Sequence, residues 1–79
     1  MGVVNPEKLS IDMAFHARMT SGQAEDAIRV FGELVTRAVA DGHTVELPAF
    51  GKFELGKRGN GEPALRFVQS NSVRKALKS

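Results

Sequence analysis

Seventy-nine residues with no cysteine, two histidines and three prolines leave room for one small domain of residues 1–79, and exclude both a disulfide framework and a thiolate metal site. So short a chain buries little, and two histidines alone cannot build a structural zinc site, so self-association is the remaining source of extra burial. The net charge of +2 hides an asymmetry: residues 1–50 carry four Lys/Arg against seven Asp/Glu, whereas residues 51–79 carry seven against two. That distribution directs a polyanion to the C-terminal part and says nothing about fold. The opening residues have neither the basic start nor the apolar run of a secretory leader, and no stretch is long enough to span a bilayer. The expectation is a soluble cytoplasmic protein with no membrane partner.

Asn5-Pro6 starts the first predicted helix, Pro6 to Arg18, since Asn caps and Pro suits the first helical position. Leu9, Met13 and Ala17 recur along it at helical spacing, with Ile11 and Phe15 widening the apolar surface. Thr20-Ser21-Gly22-Gln23 has the form of a capping box and opens a second helix. Ala24, Ala27, Ile28, Phe31, Leu34, Val35, Ala38 and Val39 keep its apolar period for about four turns, and Gly42 ends it.

Strands follow at Thr44–Leu47 and Gly51–Leu55, where apolar residues alternate, with a bend around Pro48 between them. The three glycines and Asn60 of Gly56 to Glu62 make a tight connection into a third strand, Ala64–Val68. Ser70 or Asn71 can cap a short last helix, in which Val73, Ala76 and Leu77 oppose Arg74, Lys75 and Lys78. The predicted class is α+β: two N-terminal helices, a three-stranded antiparallel sheet with a short second hairpin, and a C-terminal helix.

This order of elements resembles the HU/integration host factor family of bacterial histone-like DNA-binding proteins. Gly42-His43-Thr44-Val45-Glu46-Leu47-Pro48-Ala49-Phe50-Gly51-Lys52-Phe53 is similar to that family's "Pro-Gly-Phe-Gly-x-Phe" strand signature, with Ala49 in place of the usual glycine. Phe67 to Leu77 is similar to its C-terminal "Phe-Lys-Pro-x-x-x-Leu-Arg-x-x-Leu" segment, although Val68-Gln69 replaces the Lys-Pro pair. The resemblance implies an intertwined homodimer with Phe31, Leu34, Val35, Phe50, Phe53 and Phe67 in its core. It implies double-stranded DNA as the partner, with RNA as a variant, and a nucleoid location. Family members also extend the second hairpin into a long basic arm whose tip, commonly a proline, wedges between base steps. Gly56 to Glu62 is only a turn, and Pro63 lies too near the body to wedge, so strong bending is not expected.

The candidate DNA contacts are Lys52, Lys57, Arg58, Arg66, Arg74, Lys75 and Lys78. Phosphate contact needs only positive charge and reach, so these residues imply no sequence preference. Lys52 and Arg66 are expected on the open face of the sheet if Phe53, Leu55, Leu65 and Phe67 face the helices. A dimeric protein-interaction module that has lost DNA binding is the competing reading, with the acidic second helix as its partner surface. No nucleophile–base or metal constellation can be assembled, so neither an enzyme nor a cofactor or small-molecule substrate is expected. Asp12 and His16, four apart, make an ordinary helical pair. His43 belongs to an exposed turn, Gly59-Asn60-Gly61 lacks the helix and lysine of a phosphate loop, and Met1, Met13 and Met19 are core or terminal residues.

Overall fold

The computed structural model describes residues 2–78. Its elements are α1 (Pro6–Ala17), α2 (Ser21–Ala40), β1 (Val45–Leu47), β2 (Gly51–Lys57), β3 (Pro63–Gln69) and α3 (Asn71–Lys78). The chain divides into two compact units, Met1–Glu33 and Leu34–Ser79. Among the described residues no helix is long and apolar enough to cross a membrane.

In the first unit, Asn5 caps α1 by accepting a hydrogen bond from the Lys8 amide at 2.8 Å, and Pro6 follows it. Ser10 is the buried residue of α1, and its hydroxyl donates to the Glu7 carbonyl at 2.8 Å. The helix stops one residue before the expected Arg18. Arg18 adopts a left-handed backbone (φ 55°), and the Met19 amide reaches back to the Ala14 carbonyl. A glycine usually supplies that conformation, and the sequence offered no such signal here. The start of α2 is a complete capping box. The Gln23 amide donates to Thr20 Oγ1 at 3.0 Å, and the Thr20 amide donates to Gln23 Oε1 at 2.9 Å. Met13 and Met19 are half-buried, and Met1 lies outside the described residues.

In the second unit, α2 ends in a Schellman motif: the Gly42 amide bonds to the Val39 carbonyl and the His43 amide to the Ala38 carbonyl. Gly42 has φ 88°, so the glycine takes the left-handed position that a side chain resists. The three strands form an antiparallel sheet of order β1-β2-β3. Each strand differs from expectation at its ends. The first starts at Val45, not Thr44; the second and third reach Lys57 and begin at Pro63, because Gly56 pairs with Ala64 and Lys57 with Pro63. The connection is therefore the five residues Arg58–Glu62. It is closed by the Arg58 amide on the Glu62 carbonyl and by Asn60 Oδ1 accepting from the Glu62 amide.

Register decides the two faces of the sheet. Phe53 opposes Phe67 and Leu55 opposes Leu65, placing all four on one face. Phe50, in the β1–β2 turn, closes an aromatic cluster, its ring 4.9 Å from Phe67, with Phe53 5.0 Å from Phe67. Gly51 is required beneath this cluster. A Cβ there would lie 2.7 Å from Phe67 Cζ and closer still to the Val68 carbonyl oxygen. Ala49, by contrast, is held at φ 60° without being glycine. This apolar face is incompletely buried: Phe50, Leu55, Leu65 and Phe67 are exposed, and Phe53 is half-buried. Of the apolar residues in the middle of α2, Val35 is buried within the chain, while Phe31 and Leu34 are exposed.

Candidate nucleic-acid interface

The seven candidate cations fall into three groups. Lys52 and Arg66 lie on the sheet face opposite the phenylalanines. There Glu54 stands between them, its carboxylate 3.4 Å from Lys52 Nζ and 2.9 Å from the Arg66 guanidinium. Glu46 pairs with Lys52 across β1 and β2 and shares this face. Two carboxylates and two cations therefore occupy the polar side of the sheet, which carries no net charge. Lys52 and Arg66 lie on the face opposite the phenylalanines, but Glu54 shares that face with them. The signal was present, since Glu54 is two residues from Lys52 and period two places both on one face.

The second group is the hairpin tip. Lys57 is the last residue of β2, and Arg58 is the first residue of the connecting loop. The third group is α3. The Ser70 hydroxyl accepts the Val73 amide at 3.3 Å, which identifies Ser70, rather than Asn71, as the capping residue. The Ser70 amide in turn donates to the Phe50 carbonyl at 2.9 Å, tying the start of α3 to the β1–β2 turn. Arg74 and Lys78 are one turn apart, and Lys75 and Lys78 stand in the last turn, where cations suit the negative end of the helix dipole. Val73, Ala76 and Leu77 line the other side, and Leu77 is 74% exposed. Lys57, Arg58, Arg74 and Lys78 make no ion pair with any described residue. Their charge is available to an external anion.

The acidic half is different in kind. Asp12 pairs with Lys8 at 3.2 Å and not with His16, whose ring instead meets Phe15 edge-on at 5.4 Å. Arg29 bridges Asp26 and Glu33 along α2. A shallow cavity in the first unit is lined by Asn5, Glu7, Glu25, Asp26, Ile28 and Arg29. No group of three or more metal-ligating side chains exists among the described residues.

The sequence family described as bacterial DNA-binding protein matches residues 5–62. DNA-binding protein HU of Lactococcus lactis subsp. lactis is 35% identical over 60 residues, which cover 76% of this chain. The match spans 66% of that relative's length, just under two thirds. Among solved structures, a mutant HU from Thermotoga maritima superposes with a TM-score of 0.78 at 20% identity, covering 92% of this chain and 97% of the other. An HU–DNA cocrystal structure from Anabaena gives 0.80 at 23% identity, covering 92% and 96%. These two likenesses establish the fold, and the family match over residues 5–62 establishes kinship: the chain belongs to the bacterial DNA-binding protein family typified by HU.

Proposed function

We propose that the chain, acting over residues 1–79 as one HU-like domain, binds double-stranded DNA without sequence preference, as a homodimer in the bacterial nucleoid. Phosphates are contacted by Lys57 and Arg58 at the hairpin tip and by Arg74, Lys75 and Lys78 of α3, with Lys52 and Arg66 flanking them on the sheet. The observation that carries this reading is the group of four cations without a carboxylate partner among the described residues, in a chain of this family. Such charge serves binding and not catalysis.

Dimerisation is supported by what a single chain leaves in water. Phe31, Leu34, Phe50, Leu55, Leu65 and Phe67 are all exposed. Covering each such side chain fully is worth about 1.5–3 kcal/mol, and a partial cover correspondingly less. Total stability of a typical domain is only about 5–15 kcal/mol, so association would decide whether this chain is folded. Weak bending is supported by the short hairpin. Beyond Phe53, the last residue of β2 paired with β1, only Glu54–Lys57 remain, about 13 Å of strand. Pro63 pairs with Lys57 inside the sheet and has no tip from which to wedge.

The test is a fluorescence-anisotropy titration of labelled duplex DNA at 50 and 200 mM salt, with end-to-end energy transfer across the same duplex. With about six phosphates engaged per dimer, affinity should fall around a thousandfold between the two salts. Energy transfer should stay near that of free DNA. Absence of binding at the lower salt would refute the proposal and favour a protein-interaction module built on the same fold.

A further inference from the structure

The polar face of the sheet holds its charges in a fixed arrangement. Glu54 sits centrally in β2, directly opposite Arg66 in the register and two residues from Lys52 on the same face. Its side chain is 21% exposed, less than that of either cation it holds, and its two oxygens are divided between them, Oε1 to Lys52 and Oε2 to Arg66. Glu46 adds a second carboxylate beside Lys52. A phosphate approaching this face meets two cations that share one tethered carboxylate, with the second carboxylate of Glu46 alongside.

From this geometry we infer that Glu54 is an affinity-limiting residue: it withholds Lys52 and Arg66 from DNA phosphates and shifts contact to the hairpin tip and α3. The inference rests on the DNA-binding reading above and refines it. Its physical basis is competition at fixed distance. Salt dependence of DNA binding arises because protein cations release counterions condensed on the phosphates. A cation that must first surrender an internal carboxylate gains little from that release. It must break a charge-assisted bond, and it leaves Glu54 unpaired beside the phosphate. Replacing the carboxylate by an amide of the same shape removes the competitor while keeping a group that can still hydrogen-bond.

The experiment compares Glu54→Gln with Glu25→Gln on the full chain, by anisotropy with labelled duplex across several salt concentrations. Both substitutions raise the net charge by the same amount, but Glu25 makes no ion pair with a described residue. Glu54→Gln should tighten binding about fivefold or more at 50 mM salt and steepen the slope of log affinity against log salt by roughly 0.9 for each phosphate newly engaged. Glu25→Gln should change affinity less than twofold. Equal effects from the two substitutions, or no change in slope with Glu54→Gln, would overturn the inference while leaving DNA binding intact. Weaker binding by folded Glu54→Gln would overturn it too, and would make Glu54 a residue that positions the cations productively. Arg66→Gln gives an independent reading if Glu54→Gln does not fold. It should cost less than twofold where Arg74→Gln costs severalfold, and parity between them overturns the inference. No salt-sensitive binding by the wild-type chain would dispose of both this inference and the reading beneath it.

Discussion

The sheet and the C-terminal helix use the same kinds of residue to opposite ends. On the sheet, Lys52 and Arg66 are bound to Glu54, and the phenylalanines behind them pack on one another. On α3, Arg74 and Lys78 make no ion pair with a described residue, and Leu77 is 74% exposed. The sheet pairs its charges internally, whereas the helix leaves Arg74, Lys78 and Leu77 outward. Counting cations along the chain therefore overstates the binding charge, since a cation counts only if no nearer anion holds it.

This contrast makes a sharp division: changes to α3 should move DNA binding and spare stability, and changes to the sheet should do the reverse. The largest effect is expected from Arg74→Glu combined with Lys78→Glu. Each chain then loses two phosphate contacts and gains two repulsions, so affinity at 50 mM salt should drop about a hundredfold or more. The urea midpoint should hardly move, and a large fall in it would break the division. Next comes Phe67→Ala. If a second chain completes the burial of the aromatic cluster, the cost should reach about 3–5 kcal/mol, with a melting temperature that falls on dilution. If Phe67 stays 41% exposed, as in one chain, the cost should be nearer 1–2 kcal/mol and independent of concentration.

Gly51→Ala should destabilise by about 1–3 kcal/mol, because the new methyl meets both the Val68 carbonyl and the Phe67 ring. Urea denaturation measures it, and any affinity change beyond that explained by unfolding would show the sheet contributing directly to binding. Ala49→Gly should have a smaller effect of opposite sign. Relief of the left-handed backbone at φ 60°, offset by the greater freedom of glycine in the unfolded chain, should add about 1 kcal/mol. The smallest response belongs to Lys8→Gln, which loses an exposed helical ion pair worth about 0.5 kcal/mol or less. Its affinity for DNA should be unchanged.

What the sequence disclosed follows from which interactions are local. The caps at Asn5 and Thr20, the Gly42 stop and the order of all six elements depend on residues within a few positions of one another, and all were legible. The end of α1 was not, because Arg18 adopts a glycine-like backbone without being glycine. Strand ends were also missed, because ladder pairing carries Gly56 and Pro63, two residues that ordinarily mark turns, into the sheet. The candidate interface was legible as a list of cations and not as an electrostatic surface. The Lys52–Glu54 pair follows from the period of two, whereas setting Arg66 against Glu54 required the cross-strand register.

The bond from the Ser70 amide to the Phe50 carbonyl has a mechanical consequence. The last helix is anchored at its first turn, where the chain leaves β3 and this bond ties it to the β1–β2 turn. Its cations extend from that anchor along a helix about 12 Å long at Lys78. If the chain binds DNA as proposed, a small tilt about this anchor would become ångström-scale travel at the tip, enough to follow phosphates whose spacing varies with groove width. Seating Leu77 against another surface would take up that play and trade tolerance of varied duplex shapes for a stiffer grip.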